Sequence, residues 1–309
     1  MRIVFMGTPE FGATILKTLL TKHEIVLVVT QPDKEVGRKK IIEYSPVKQV
    51  ALEHGLKIYQ PLNIRKEADE IFKLDFDIIV TAAYGQIVGT NLLEYPKYKA
   101  INVHGSLLPK YRGGAPIQRA IINGEKTTGI TIMYMAKKMD AGDIIAQKEI
   151  PIADDDTSDS LFKKLAELGA EMILPVLDNI EKGNIKPIKQ DESLVSYAYN
   201  LTKEDEVIDF NKNATDIYNQ IRGLASNPGA YFTIDDQIMK VYSSKISNIK
   251  HHENPGTIVD VQKDSFSIAC GENTSITFTE LKPQGKNLMS VKDYLNGKGK
   301  TVIVKNRRI

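Results

Sequence analysis

The chain has 309 residues, a hydrophobic content of 42% and a formal net charge of +2. This length allows one large domain or two ordinary ones, and the composition supports a buried core without disulfides. The single cysteine, Cys270, excludes an internal disulfide framework and a cysteine-rich metal site, and we expect it to be a small buried residue.

The beginning of the chain shows no targeting signal. Its first apolar run, residues 3–6, ends at Gly7 and is too short for a signal peptide. No run approaches the ~20 apolar residues that a membrane-spanning helix needs. We therefore expect a cytoplasmic protein.

The first half of the chain alternates strands with helical stretches. The apolar spacing of residues 15–20 predicts a helix directly after the first strand. Such alternation is typical of a parallel, doubly wound α/β sheet. The predicted strands of this half are residues 2–6, 24–30, 77–83 and 100–104.

The second half changes character along its length. Residues 128–135 and 144–152 predict a pair of strands, and Asp156 and Thr157 predict the N-cap of a long helix that Gly183 ends. Weak periodicity from about residue 184 to 206 indicates a linker. Beyond it come a predicted helix at 214–224 and five short strands, a pattern typical of a small barrel or sandwich. These strands are residues 230–234, 238–243, 256–261, 266–270 and 275–281.

Polar side chains occur where the predicted strand 100–104 ends. Asn102 and His104 are two residues apart, so on a strand both point to the same face. Ligands bind at the carboxyl ends of strands in open α/β sheets. An amide that stabilises an oxyanion beside an imidazole that handles a proton is suited to acyl transfer.

Two other segments allow both a functional and an ordinary interpretation. Residues 7–12 turn from strand to helix, but Pro9 replaces the second glycine of the dinucleotide fingerprint, which disfavours nicotinamide binding. Asp140 lies in an Asp-Ala-Gly-Asp turn that could be only a turn, or could supply the carboxylate that orients His104. The histidine and cysteine spacings match no metal motif, so we expect no metal.

Basic residues concentrate in two zones of this nearly neutral chain. Residues 96–120 contain five basic residues and no acid, and residues 282–309 contain eight against one acid. A charged loop, residues 33–40, also follows the second strand on the strand-end side of the sheet. Such zones suit a polyanionic partner, although basic tails are often only solvated surface.

Four runs are specific enough to indicate a family: NVHGSLLP at 102–109, YRGGAPIQR at 111–119, TQPD at 30–33 and DAGD at 140–143. With GTPEF at 7–11 and KNRRI at 305–309, the chain resembles the methionyl-tRNA formyltransferase family, in order, along its whole length. NVHGSLLP alone resembles the wider family that uses 10-formyltetrahydrofolate. One departure is Gly113-Gly114, where the family's pattern is Gly then Ala.

The resemblance implies a Rossmann-like formyltransferase domain at 1–189, a linker at 190–206 and an OB-like tRNA-binding barrel at 207–309. It implies formyl transfer from 10-formyltetrahydrofolate to the α-amine of methionyl initiator tRNA, for translation initiation, by a monomer that needs no metal, DNA or membrane. The implied catalytic residues are Asn102, His104 and Asp140, and the implied folate-contacting residues are Ser106, Leu107, Leu108 and Pro109. The implied tRNA-inserting loop holds Arg38, Lys39 and Lys40.

The basic tail adds Lys298, Lys300, Arg307 and Arg308 as expected tRNA contacts. Three competing functions stay open at this point. A formyltransferase for a small amine would not need the basic tail or the Arg38 loop. A nicotinamide oxidoreductase lacks the glycine fingerprint, and a non-catalytic RNA-binding protein leaves Asn102, His104 and Asp140 unexplained.

Overall fold

We describe the fold from a computed structural model, which describes residues 1–36 and 41–309. The chain forms two compact units. The first comprises Met1–Pro116, Thr127–Pro151 and Phe162–Tyr199, and the second comprises Ile117–Lys126, Ile152–Leu161 and Asn200–Ile309. Within the described ranges, no helix has the length and apolarity needed to cross a membrane.

A seven-stranded mixed sheet forms the centre of the first unit, in the order β5-β2-β1-β6-β7-β8-β9. The first five strands of this order are parallel, and β8 and β9 continue the sheet antiparallel. The six strands predicted for this unit are present, with ends shifted by at most one residue, and β5 is an additional strand. The strands are β1 (Arg2–Gly7), β2 (Glu24–Val29), β5 (Ile58–Tyr59), β6 (Ile78–Ala82), β7 (Ala100–His104), β8 (Thr127–Tyr134) and β9 (Ile144–Pro151).

The parallel strands are covered on both faces, which explains their unbroken apolar sequences. Val4 and Met6 belong to one core cluster with Leu27 and Ile79, while Ile3 and Phe5 alternate to the other face and are also fully buried. The helices that begin in this unit or border it are α1 (Glu10–Leu20), α2 (Pro46–Glu53), α3 (Asp69–Phe72), α4 (Thr90–Glu94), α5 (Pro116–Ile122) and α6 (Ser158–Glu181).

The long helix α6 starts where the capping residues predict. The Thr157 hydroxyl accepts a hydrogen bond from the Ser160 backbone N–H at 3.3 Å, and Gly183 has a left-handed φ of 70° just beyond the last turn. A Cβ on Gly169 would lie 2.9 Å from Val103 Cγ1 and 3.1 Å from Ile15 Cδ1. The absence of a side chain at Gly169 therefore lets α6 approach the sheet and α1 closely.

The charged segment 33–40 contains a short strand, Lys34–Val36, where the sequence predicts a loop. Lys34–Val36 (β3) and Ile41–Glu43 (β4) pair as an antiparallel ribbon, with Lys34 opposite Glu43. Strands of three residues that include charged side chains show no hydrophobic alternation, so the sequence does not predict them. Arg38, Lys39 and Lys40, the predicted tRNA-contacting residues of this segment, lie outside the described residues.

The second unit contains an antiparallel sheet, as the predicted run of short strands requires. Its order is β10-β11-β14-β13-β12, and β15 pairs with β14. Cys270 is buried in this core, as expected. The strands are β10 (Ala230–Ile234), β11 (Gln237–Ser247), β12 (Ile258–Val261), β13 (Phe266–Ala269), β14 (Ser275–Pro283) and β15 (Met289–Ser290). The helices are α7 (Lys203–Glu206), α8 (Ala214–Gly223), α9 (Val291–Leu295) and α10 (Gly299–Val302).

Residues 184–206, interpreted as a linker, carry local structure. Glu192–Leu194 form a 3-10 turn capped by the Asp191 side chain, and the Thr202 side chain caps α7. The first compact unit extends to Tyr199, so residues 184–199 of the predicted linker belong to that unit.

Candidate active site

The site is built at the carboxyl end of β7, in the middle of the mixed sheet. Asn102 pairs with Thr81 of β6 on one side and with Met133 of β8 on the other. His104, two residues on, is 6% exposed, and Asn102 is partly exposed. The strand therefore places an amide and an imidazole on one face, as the sequence predicts.

The amide of Asn102 is held in one orientation. The Thr81 hydroxyl lies 2.8 Å from Asn102 Oδ1 and donates to it. Because Oδ1 accepts this bond, the Nδ2 group points away from Thr81 with its two N–H donors. Thr81 was not found from the sequence, since one threonine at the end of an apolar strand carries no local signal.

The folded chain brings Asp140 to His104. Asp140 Oδ2 lies 3.8 Å from His104 Nδ1, a distance suited to an ion pair but longer than a hydrogen bond. Asp140 has a left-handed φ of 52°, an uncommon conformation for a residue other than glycine. Asn102, His104 and Asp140 therefore converge within the first unit, although Asp140 is distant in the sequence.

The segment after β7 holds both groups through its backbone. His104 Nε2 lies 3.0 Å from the Tyr111 carbonyl oxygen, and the Gly113 N–H donates to Asp140 Oδ2 at 2.9 Å. A carbonyl oxygen only accepts, so Nε2 carries a proton, and Nδ1 is the ring atom that faces Asp140. A Cβ on Gly113 would lie 2.5 Å from the Ala198 carbonyl oxygen, which explains the glycine at this position.

A buried clamp holds the turn that carries Asp140. Gln190 Nε2 donates to the carbonyl oxygens of Asp140 and Gly142, both at 2.8 Å. Its Oε1 accepts from Nε and Nη2 of Arg112 at 3.0 and 2.8 Å. Arg112 is 1% exposed, and its Nη2 also donates to Glu192 at 2.7 Å. We call Arg112, Gln190 and Glu192 the turn clamp.

The clamp also explains the low pKa of the Glu192 carboxyl. Hydrogen bonds from the Arg112 guanidinium and then from the Lys138 ammonium lower the pKa of the exposed Glu192 carboxyl to about 2. The clamp could not be predicted from the sequence, because Gln190 and Glu192 lie in a segment without periodicity. Two arginines counted in the basic zone 96–120 are engaged within the protein, since Arg112 is buried in the clamp and Arg119 pairs with Asp205 at 2.7 Å.

The predicted folate segment divides into buried and partly exposed residues. The Ser106 hydroxyl donates to the Lys110 carbonyl oxygen at 2.7 Å, and the side chain of Leu108 is buried. The backbone N–H of Leu108 donates to the Thr131 hydroxyl at 3.1 Å. Leu107 and Pro109 are partly exposed, so their side chains remain available to a ligand.

The predicted tRNA residues of the second unit are not equivalent. Lys298, Lys300 and Arg308 are exposed. Arg307 pairs with Asp235 and donates to the Val302 carbonyl oxygen at 2.9 Å, so its guanidinium is engaged within the unit. Among residues 1–36 and 41–309, no group of three or more His, Cys, Asp or Glu side chains is arranged to hold a metal ion.

Comparison with known proteins defines the class. A family model described as formyl transferase matches residues 1–177, and one described as formyl transferase, C-terminal domain, matches residues 200–299. A solved structure, an N-formyltransferase from Helicobacter canadensis in complex with folinic acid and dTDP-3-aminofucose, superposes with a TM-score of 0.70 at 22% identity. It covers 89% of this chain and 98% of its own, and it shows the same fold.

Two curated relatives narrow the class. Methionyl-tRNA formyltransferase of Halalkalibacterium halodurans is 48% identical over 308 residues, 98% of this chain and 97% of that protein. The Bacillus mycoides enzyme of the same name is 47% identical over 300 residues, 96% of each chain. The chain belongs to the methionyl-tRNA formyltransferase family.

Proposed function

We propose that the chain transfers the formyl group of 10-formyltetrahydrofolate to the α-amino group of methionyl initiator tRNA, giving the N-formylmethionyl-tRNA used in translation initiation. The observation that carries this proposal is the convergence of Asn102, His104 and Asp140 at the end of β7 in a member of this family. An amide donor, an imidazole and a carboxylate at one strand end suit acyl transfer to an amine.

The amine nitrogen of the methionyl ester attacks the formyl carbon, and negative charge develops on the formyl oxygen. Asn102 Nδ2, directed away from Thr81, donates to this oxygen. The tetrahedral intermediate collapses when the bond between the formyl carbon and N10 of the folate breaks. The products are the formylated amine and tetrahydrofolate.

His104 and Asp140 handle the proton. A neutral His104 that keeps its proton on Nε2 for the Tyr111 carbonyl oxygen has a lone pair on Nδ1, which accepts the proton that the amine loses. Asp140 Oδ2, 3.8 Å away, stabilises the imidazolium that forms. The Nδ1 proton is then available to the departing N10.

We propose folate contacts from Ser106, Leu107, Leu108 and Pro109. The buried Ser106 and Leu108 shape the loop, and Leu107 and Pro109 offer partly exposed apolar surface beside the catalytic groups. The family membership and the folinic acid bound by the Helicobacter canadensis enzyme support a folate donor. We also propose a cytoplasmic monomer with a catalytic domain at 1–189, a connection at 190–206 and a tRNA-binding domain at 207–309.

We also propose that two groups of basic residues contact the tRNA. Arg38, Lys39 and Lys40 contact the acceptor end of the tRNA. Lys298, Lys300 and Arg308 contribute exposed charges to a phosphate-binding surface, and Arg307, held by its pair with Asp235, supports that surface. Arg38→Ala should weaken the use of tRNA and leave folate affinity unchanged. Equal loss of both would show that this segment is structural or lines the folate site.

Incubation with methionyl initiator tRNA and 10-formyltetrahydrofolate tests the reaction, with formyl-methionine measured after ester hydrolysis. Methionyl-tRNA whose amine is already acetylated is the matched negative control. An amino-sugar nucleotide, offered at the same concentration, tests the small-amine alternative. Formylation of the sugar nucleotide without formylation of methionyl-tRNA would overturn the proposal.

A further inference from the structure

Two neighbouring exposed tyrosines of the first unit stack on each other. Tyr197 and Tyr199 are 49% and 71% exposed, and Ala198 between them is fully buried. Their rings stack in a nearly parallel arrangement, with centroids 5.7 Å apart and an interplanar angle of 12°. Exposed aromatic surface is costly in water and is concentrated at binding surfaces.

This pair is joined directly to the candidate active site. Tyr197 forms a bridge with Arg112, supported by hydrogen bonds from Arg112 N to Ser196 O at 2.9 Å and from Ala198 N to Arg112 O at 2.7 Å. The residues on either side of Arg112 are Tyr111 and Gly113, whose backbone atoms bond His104 and Asp140. Each ring therefore belongs to a segment that pairs with the backbone holding the catalytic groups.

We propose that Tyr197 and Tyr199 form a stacking platform for the unpaired nucleotides at the 3′ end of the tRNA. The inference rests on the proposed function, because methionine is esterified to the terminal nucleotide. When the methionyl amine reaches Asn102 and His104, the terminal nucleotide must lie next to the segment that holds these groups. Unpaired bases stack on aromatic side chains without regard to sequence.

The aromatic composition of the chain is consistent with a stacking platform built from tyrosine. The sequence contains no tryptophan, so tyrosine is its largest aromatic residue. A platform of two stacked rings in one short segment presents a rigid surface at low cost in side-chain entropy. The pteridine ring of the folate is also aromatic and could stack on Tyr197 or Tyr199 instead. The experiments below distinguish this alternative from stacking of tRNA bases.

Alanine substitutions measure the contribution of each ring. Tyr199→Ala and Tyr197→Ala should each raise the KM for methionyl-tRNA by ~5- to 100-fold, the range for loss of one base stack. Their kcat at saturating tRNA and their folate affinity should stay close to those of the wild type. Tyr199→Phe, which keeps the ring, should restore the KM to within about threefold.

Leu194→Ala is the matched control, since Leu194 is a 58% exposed apolar residue of the same segment without an aromatic ring. Circular dichroism checks that each variant folds, and Tyr199→Ala keeps the test open if Tyr197→Ala unfolds. Unchanged KM for tRNA in both folded alanine variants would overturn the proposal. A rise in the KM for folate alone would assign the rings to the pteridine and overturn it equally.

A second experiment detects the contact without activity. Because the chain has no tryptophan, Tyr199→Trp introduces a single fluorescent reporter. Its emission should be quenched by uncharged tRNA and much less by the same tRNA without its unpaired 3′ nucleotides. Equal quenching by both would overturn the proposal. Failure of the proposed function would give a different result from failure of the stacking proposal, because the wild-type chain itself would not formylate methionyl-tRNA.

Discussion

Asn102 depends on a residue of the neighbouring strand for its orientation. A free side-chain amide can present either its oxygen or its nitrogen, but the Thr81 hydroxyl selects the rotamer with Oδ1 toward β6. His104 is selected in a similar way, because the Tyr111 carbonyl oxygen keeps a proton on Nε2. Both groups are thus oriented before the substrate binds, which is what electrostatic stabilisation of an oxyanion needs.

Asn102→Ala should lower kcat by about 100-fold or more, the usual effect of losing one oxyanion donor. Folate affinity should be unchanged, because the lost interaction forms mainly in the transition state. Thr81→Val is the companion variant. It keeps the shape and removes the hydroxyl, so it should lower kcat by a smaller factor. Near wild-type turnover of Asn102→Ala, measured with saturating substrates, would contradict the proposed role.

Cys270 should be chemically silent in the folded protein. Burial raises the pKa of its thiol to about 12, so the reactive thiolate is nearly absent at neutral pH. Iodoacetamide at pH 8 should label the chain slowly in buffer and rapidly in urea, as followed by mass spectrometry. Comparable rates in the two solutions would show that the residue is accessible.

At the scale of elements, the hairpin of β8 and β9 carries Asp140 in its connection, and the turn clamp holds that connection. Gln190 is central, since it donates to two carbonyl oxygens and accepts from two nitrogens of Arg112 at once. Arg112 Nη1 is already buried without a partner among the described residues. The clamp therefore has no spare acceptor if Gln190 is lost.

Gln190→Leu should destabilise the protein by roughly 2–4 kcal/mol, because two carbonyl oxygens lose their donor and the buried Arg112 loses two of its hydrogen bonds. It should also lower kcat more than it raises the KM for either substrate, since the Asp140 turn loosens. Urea unfolding and steady-state kinetics measure the two effects. Gln262→Leu, at an exposed glutamine in the other unit, is the control. A fully stable, fully active Gln190→Leu protein would refute the clamp.

The contrast between β7 and the clamp shows how much a sequence can predict. The alternation around Asn102 and His104 is local, so the strand and its functional face could be predicted from a few residues. The chemistry of an imidazole made Asp140 a candidate partner of His104, but an ordinary turn remained the alternative, because the contact depends on how β8 and β9 pair. Nothing in the sequence around Arg112 distinguishes it from an ordinary surface cation. Only the folded chain shows that it is buried against Gln190.

The same limit applies to the helices and short strands. α6 could be predicted because its apolar period and both its ends are encoded locally. The ribbon of β3 and β4 and the short β15 could not, since their residues are charged or too few for a period to develop. Such elements are stabilised mainly by their partners, which the sequence does not identify.

At the scale of the whole molecule, charge distribution matters more than net charge. The net charge is +2, which gives little general attraction for a polyanion. The described structure removes Arg112, Arg119 and Arg307 from the free cations, since each is paired within its own unit. Among the described residues, the exposed cations left in the two basic zones are Lys97, Lys99 and Lys110 and the exposed cations of the C-terminal segment, residues 282–309.

Four exposed cations of the C-terminal segment should be neutralised together. The KM for tRNA should rise, and tRNA affinity should depend less steeply on salt concentration. Each lost phosphate contact reduces the slope of log affinity against log salt by about 0.9. Arg307 stays in place, because its pair with Asp235 and its bond to the Val302 carbonyl oxygen stabilise the unit. The substituted residues are Lys298, Lys300, Lys305 and Arg308, each changed to Gln.

A second variant with the same change in net charge separates a local surface from a general electrostatic effect. It replaces four exposed lysines of the first unit, Lys57, Lys66, Lys73 and Lys182, by Gln. If the C-terminal segment binds the tRNA body, only the first set should change the salt slope, while kcat stays the same in both. Equal slopes in the two variants and the wild type, measured from 50 to ~300 mM salt, would remove the C-terminal segment from the tRNA interface.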